Sequence, residues 1–485
     1  MLKKLDRRGI AAACGVAALM GITAVAVHGD RVSARQARVT PAAELAFRSS
    51  VEPAPPGAKA FKLSADYPTR APAECKACTW LDIKVDFTFN PNPPKPSKGD
   101  WEKGKWDQYI AAILAYVREG QDPNLRDEIG FLPQVAGATR WYNVPWMAYD
   151  PTVGREWRHG TTNERTSSIE DLVGEELPAA HGGAVHFFNA MSNTCKARYP
   201  KGFETWSVGY YNPQGGYAIG RAIPKNGVPK IGEYMGSPMP DGLPFPEGTA
   251  VMKVLTTNAT PDCVPALKNS PVWRVNRHTV DPRNKAYTCQ RALQESRIVQ
   301  IDVAVRDKRS PTGWVYGTYA YDGTLPGKTF WDRLVPLGVQ WGADPFTFPA
   351  VPKSESLPLQ QSVANPAVNI YEHMGCNGRL AGPVDNPQSS CMSCHSSAYA
   401  PRNGAKLKMG VNVPPSFGFA GQCTTYSADN AAYFQSPVPP QSYAGGQYPQ
   451  AMSLDTSLQL EVAFQQYGQF ATDKAPEACT LDDKK

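Results

Sequence analysis

One short run in this chain combines residue types and a spacing that could do chemistry, Cys391-Met392-Ser393-Cys394-His395. Two thiols separated by two residues can form thioether bonds to the two vinyl groups of one porphyrin, and the next imidazole then lies beneath the iron. The run predicts one covalently attached haem c, held by Cys391 and Cys394, with His395 as an axial iron ligand. The alternative is a structural zinc site or a disulfide beside an unrelated histidine, and the signs of export in the chain argue against zinc.

A second cysteine pair has the same spacing but lacks the histidine. Thr79 follows Cys75-Lys76-Ala77-Cys78, so no imidazole is available for an axial bond. No βαβ pattern typical of thioredoxin-like redox proteins surrounds this pair. We therefore expect a structural disulfide here, and one haem in the chain rather than two.

The amino-terminal residues have the features of an export signal. A basic start precedes an apolar run from Gly9 to Thr23 and a small-residue cleavage site at residues 24–26. If the apolar run extends to Val27, it is long for a cleaved signal, so residues 1–26 are interpreted either as a signal peptide or as an inner-membrane anchor. Both interpretations place the protein in the periplasm or another extracytoplasmic space.

Cysteine usage agrees with an oxidising compartment. Of the 11 cysteines, one lies in the signal and two in the haem motif, and the remaining eight could form up to four disulfides. The pairing expected first is a local one between Cys263 and Cys289.

The charge balance argues against a polyanionic partner. The formal net charge is +6, and removing the four basic residues and one aspartate of the signal lowers it to +3. A chain so close to neutral has no strong field for nucleic acid, so no nucleic-acid partner is expected.

The sequence pattern around the motif predicts an α+β fold. It indicates a β-rich amino-terminal and middle domain and a smaller, mainly α, cytochrome c-like carboxyl-terminal segment. At 485 residues the chain is too long for one small core. The predicted parts after the signal are a flexible arm at 27–57, a mixed α/β domain at 58–350 that is rich in antiparallel sheet after residue 200, a linker at 351–366 and a haem-binding segment at 367–485.

Periodicity predicts the individual elements. The spacing of Trp106, Ile110, Ile113, Leu114 and Val117 predicts an amphipathic helix, and a second packed helix is predicted over 457–470. Runs rich in β-branched and aromatic residues predict strands at 204–211, 216–221, 249–257, 297–306 and 313–321. In the fourth run apolar and polar residues alternate, which predicts one solvent-facing side, and Gly215-Gly216 is interpreted as a hairpin turn.

Residues 391–395 resemble the signature of class I c-type cytochromes. In that family a methionine further along the chain supplies the second axial ligand, and a carboxyl-terminal helix closes the fold. The resemblance implies Met452 as the first choice, since it precedes the predicted helix; Met409, His373 and a five-coordinate iron are the alternatives. The turn-rich run at 382–387 departs from the family, which has a helix before the motif.

The wider chain is similar to large exported bacterial proteins with one carboxyl-terminal haem motif. The segments that carry this resemblance are 154–160, 204–211, 245–248, 312–317 and 378–383. They cover much of residues 150–400, and the resemblance implies a family without a reaction.

Two further polar groups have weaker chemical interpretations. Arg155, Arg158, His159 and Arg165 could hold a haem propionate or an anionic substrate, but a solvated loop with ordinary surface arginines is the expected interpretation. His181 and His186 lack a third ligand and a shared helical face, which argues against a metal site.

Two functions follow from these expectations. A saturated iron would transfer electrons to and from a redox partner protein. An open sixth position would instead make the protein a haem-dependent oxidoreductase, peroxidase-like in its chemistry, or a sensor of small ligands.

Overall fold

A computed structural model describes the chain over residues 64–87, 98–126, 140–144, 149–150, 154–155, 162–166, 193–199, 203–224, 233–234, 237–238, 243–280, 287–342, 362–368, 380, 382–385, 391–395, 398–401, 451–461 and 463–464. The predicted signal or anchor and the predicted flexible arm lie outside the described residues. Met409, His373, His181 and His186 also lie outside them.

The strands are β1 Tyr149–Asp150, β2 Gly154–Arg155, β3 Thr162–Thr166, β4 Glu204–Tyr211, β5 Glu233–Tyr234, β6 Ser237–Pro238, β7 Ala250–Thr257, β8 Val272–Val280, β9 Tyr287–Arg306, β10 Trp314–Tyr321, β11 Leu334–Gln340, β12 Ser362–Ala364, β13 Tyr399–Pro401 and β14 Ala451–Ser453. Eight of them form one sheet in the order β12-β11-β10-β9-β7-β4-β3, with β8 also paired to β9. Each neighbouring pair is antiparallel.

The helices are α1 Lys98–Lys103, α2 Trp106–Arg118, α3 Asn193–Arg198, α4 Pro213–Ala222 and α5 Cys391–His395, with single 3-10 turns at Thr79–Asp82, Pro265–Leu267 and Trp331–Arg333. Together with the antiparallel sheet they confirm the predicted α+β class for the described part of the chain. Among the described helices, none is long and apolar enough to cross a membrane.

Helix α2 covers one face of the sheet, as its periodicity predicted. Its apolar stripe, which includes Ile110 and Ile113, packs against Ile301 and Val303 of β9 in one buried cluster. A Cβ at Gly317 would lie only 3.0 Å from Ile110 Cδ1, so this glycine lets the helix approach the sheet closely.

The opposite face of the sheet is partly covered, so the predicted solvent-facing side of β9 is only half right: Asp302 and Arg306 keep intermediate exposure, whereas Ala304 is buried. Leu380 and Val384 pack over this face in a second apolar cluster that contains Leu255 and Ala320. The polar side chain of Gln300 also lies beneath this cover and is fully buried. The segment that leads to the haem motif covers this part of the face.

Strand β12 attaches part of the predicted linker to the sheet. It pairs with β11, with Ala364 opposite Gly338, and Val363 is fully buried. The predicted linker at 351–366 therefore ends in a strand of the main sheet.

The predicted strand at 216–221, with its hairpin turn at Gly215-Gly216, is wrong because these residues belong to helix α4. Asn212 caps the helix by accepting a hydrogen bond from Gly215 N at 3.2 Å, and Pro213 occupies the first turn. The glycines are needed for packing: a Cβ at Gly216 would lie 2.6 Å from Tyr142 Cδ2.

Two disulfides are present among the described residues. Cys75–Cys78 forms as expected, whereas Cys263 pairs with Cys195 rather than with Cys289. The expected local pairing is wrong because α3 brings Cys195 to a Cα–Cα distance of 5.5 Å from Cys263 across 68 residues of chain.

Candidate haem site

The haem-motif residues form helix α5, which polar contacts attach to the rest of the fold. Cys391 N donates a hydrogen bond to Leu380 O at 3.1 Å, and Met392 N donates to the side-chain Oε1 of Gln340 in β11 at 3.0 Å. Met392 is fully buried, which explains an apolar residue between the two cysteines. The motif is thus fixed against the end of β11.

A single helical turn suits the predicted attachment. Positions three and four apart share one side of a helix, so the backbone of α5 places positions 391, 394 and 395 on the same side. Cys391 is partly buried and packs against the second apolar cluster. Two thioether bonds and an axial imidazole require these positions to face one porphyrin.

The imidazole of His395 has a defined hydrogen bond. Its Nδ1 lies 2.8 Å from the backbone oxygen of Thr456. Because a carbonyl oxygen can only accept, Nδ1 must carry the proton, and in the neutral ring the acceptor lone pair is then on Nε2. Metal-binding histidines in proteins have this arrangement, in which the second ring nitrogen is oriented by a carbonyl or carboxylate.

Tyr316 of β10 lies beside the imidazole. The two ring centroids are 4.8 Å apart, and the Tyr316 hydroxyl donates to Thr456 Oγ1 at 2.6 Å. Burial raises the pKa of Tyr316 well above its ordinary value, so the phenol is neutral throughout the physiological range. Tyr316 therefore contacts both His395 and the residue that orients it.

The segment that contains Thr456 returns to the motif from far along the chain. Strand β14 pairs with β13, with Met452 opposite Ala400, and Leu454 N donates to Ala398 O at 3.0 Å. The structure therefore brings the backbone of Met452, the first choice for the sixth ligand, to the strand that follows the motif. After this segment, residues 458–461 and 463–464 are helical, as the sequence predicted.

The turn that presents the Thr456 carbonyl has an uncommon backbone. Asp455 and Thr456 have φ values of 48° and 69°, in the left-handed region that non-glycine residues seldom adopt. Sequence reasoning missed this turn, and it also missed Gln340 and Tyr316. No glycine marks the turn, and Gln340 and Tyr316 belong to strands that lie far before the motif in the chain.

A cluster of acidic and amide side chains lies on the same face of the sheet. Gln300 Nε2 donates to Asp302 Oδ1 at 2.7 Å and to Asp385 Oδ2 at 3.0 Å, and Thr318 Oγ1 donates to Asp302 at 3.0 Å. Burial, together with the charge of Asp385, raises the pKa of Asp302 to about 8, although Lys253 opposes this shift. The cluster joins β9 to the segment that leads into the motif.

The remaining candidates are not joined into a second site by the described residues. Arg155 lies in β2 and Arg165 in β3, while Arg158 and His159 are outside the described residues. Cys195, Asp262 and Cys263 lie close together, but both thiols are used in a disulfide and cannot bind a metal.

Comparisons of the chain with protein-family models, with curated proteins and with solved structures find no match. The motif and its surroundings in the fold are therefore the features that bear on function.

Proposed function

We propose that this protein is an exported c-type cytochrome that carries one covalent haem and transfers electrons. Cys391 and Cys394 would hold the porphyrin, and His395 would be the axial ligand. The observation that carries the proposal is the hydrogen bond between His395 Nδ1 and the Thr456 carbonyl, because it leaves Nε2 as the metal-binding nitrogen. A histidine next to a structural disulfide would not need this orientation.

The haem would supply one-electron chemistry by alternating between ferric and ferrous iron. The protein's own residues would attach it, orient the imidazole and exclude water from one side. Fully buried Met392 and Leu380, together with Tyr316, provide apolar and aromatic surface on the sheet side of the motif. These surroundings favour a rigid site, as expected for a carrier.

The same proposal includes a cytochrome-like carboxyl-terminal segment with Met452 as the sixth ligand. It is supported by the pairing of Met452 with Ala400, and by the helical residues that follow in the chain. Location in the periplasm or another extracytoplasmic space, by cleaved signal or by inner-membrane anchor, is supported by the Cys195–Cys263 disulfide.

The first experiment tests covalent attachment. The full chain is produced in a host that matures c-type cytochromes, denatured, freed of unattached haem and examined by its reduced pyridine spectrum. The spectrum should show one haem per chain, which the Cys391→Ser and Cys394→Ser double variant should lack. The matched control is Cys75→Ser with Cys78→Ser, since this pair has the same spacing without the histidine. Colourless wild-type protein would rule the proposal out.

The second experiment separates the carrier from an enzyme or sensor. A six-coordinate carrier should give a low-spin spectrum that carbon monoxide does not change, whereas Met452→Ala should open the sixth position to that ligand. Met409→Ala and His373→Ala serve as controls for the ligand assignment. Rapid carbon monoxide binding by the wild-type ferrous protein would instead favour the peroxidase-like or sensor function.

A further inference from the structure

We infer that Asp455 is a positioning residue for the iron-binding imidazole, because it holds the backbone turn whose carbonyl orients His395. This inference rests on the proposed function. It adds to that function a residue that lies outside the motif.

The turn requires an external hold. With φ values of 48° at Asp455 and 69° at Thr456, two successive residues with side chains have left-handed backbones. Such a conformation is disfavoured for a β-branched residue such as threonine, and it persists only where the surrounding structure fixes it. A turn without that support would relax and rotate the Thr456 carbonyl away from the imidazole.

The carboxylate of Asp455 provides this hold through three parts of the fold. Its Oδ2 accepts a hydrogen bond from Phe245 N at 2.9 Å, and its Oδ1 accepts one from Trp314 Nε1 at 2.9 Å. The guanidinium Nε of Arg306 lies 3.7 Å from Oδ2, and only 14% of the Asp455 side chain is exposed. The turn is therefore fixed to β9, to β10 and to the loop before β7.

The neighbouring residues fix the turn from its other side. Tyr316 donates to Thr456 Oγ1 at 2.6 Å, and the hydroxyls of Ser457 and Tyr211 are 2.9 Å apart. The carbonyl and the hydroxyl of Thr456 thus both accept hydrogen bonds. Because the hydrogen bond to Nδ1 raises the basicity of a ligating imidazole, the position of this carbonyl should affect the relative stability of ferric and ferrous iron.

The test measures the reduction potential of haem-loaded full-length variants. Asp455→Ala should raise the potential, with at least a tenfold change in the reduced-to-oxidised ratio at a fixed potential, or 59 mV for one electron. Asp455→Asn keeps an acceptor but not the charge, and should shift the reduction potential less than Asp455→Ala does. The control is Asp332→Ala, which removes an exposed carboxylate that takes no part in these contacts, so its ratio should stay within twofold of wild type.

Thr456→Pro separates position from charge. Proline fixes φ near −65°, which is incompatible with this turn, while Asp455 keeps its charge. It should shift the potential in the same direction as Asp455→Ala. Trp314→Phe replaces this variant if the proline variant does not fold. It removes one donor to Asp455 and also keeps the charge, so it should shift the potential in the same direction. Equal shifts in Asp455→Ala and Asp455→Asn, with wild-type potentials in both charge-retaining variants, would overturn the inference.

A second measurement does not depend on the haem. Hydrogen exchange at His395 Nδ1, followed by NMR, should be slow in the wild-type protein and at least tenfold faster in Asp455→Ala. Equal exchange rates would overturn the inference even if the haem is present. Wild-type protein without covalent haem would refute the proposed function, while the exchange rates would still decide whether Asp455 positions the imidazole.

Discussion

The carboxyl group of Asp302 shows how a residue predicted to face water acquires an unusual ionisation. The side chains that face it are Gln300, Asp385, Thr318 and Lys253, and the segment before the haem motif packs against the cluster. Desolvation and the second carboxylate favour the neutral acid, so the pKa of Asp302 rises from 3.8 to about 8.

This shift predicts a pH dependence of stability. Between the two pKa values the folded protein keeps a proton that the unfolded chain releases, so the free energy of unfolding should fall as the pH rises from about 5 to about 8. One such group contributes at most about 1.4 kcal/mol per pH unit. Asp302→Asn should make this slope shallower by up to that amount, as measured by urea unfolding at each pH, while Glu461, whose pKa burial also raises to about 8, keeps its own contribution.

The control for this prediction is Asp332→Asn. Backbone and hydroxyl donors hold the pKa of Asp332 below its ordinary value, and this carboxylate is exposed. Its replacement should leave the slope above pH 5 unchanged. A wild-type slope in Asp302→Asn would show that the buried carboxyl does not titrate in this range.

At the scale of elements, helix α4 shows where periodicity alone misleads. Tyr217 and Ile219 favoured a strand, but the asparagine cap, the proline in the first turn and close packing through glycine determined a helix. Gly216 lies directly against the ring of Tyr142, and this ring is almost fully buried.

We predict that Gly216→Ala destabilises the protein despite the higher helix propensity of alanine. The added Cβ would lie 2.6 Å from Tyr142 Cδ2, and overpacking of this kind costs about 1–3 kcal/mol. In the Tyr142→Ala background the same change should be neutral or stabilising by about 1 kcal/mol. A double-mutant cycle of unfolding free energies measures the difference, and additive effects would contradict the packing explanation.

At the scale of the whole molecule, the two disulfides should differ in their contribution to stability. Cys195–Cys263 spans 68 residues, whereas Cys75–Cys78 spans three. The chain-entropy relation gives about 4 kcal/mol for the long loop and about 2 kcal/mol for the short one. Replacing each pair by serine should therefore lower the unfolding free energy more for the long loop, and the reverse order would contradict this view.

Local patterns predicted the elements better than they predicted their associations. The helix over Trp106 and the strands at 204–211 and 314–321 follow from periodicity, since their apolar faces point into one core. The cover on the second face does not follow, because it depends on a segment some 80 residues beyond Gln300 in the chain. Likewise the motif predicts the attachment residues, while the partner of His395 lies 61 residues away in an unmarked turn.

The most direct test of the central claim is mass spectrometry of the peptide that contains residues 391–395, isolated after digestion of the mature full-length protein. Covalent attachment predicts that this peptide has the mass of its sequence plus one haem, with both thiols blocked against alkylation, and that the peptide containing Cys75 carries none. Recovery of the motif peptide without haem, as a disulfide or as two alkylated cysteines from a competent host, would contradict the proposed function.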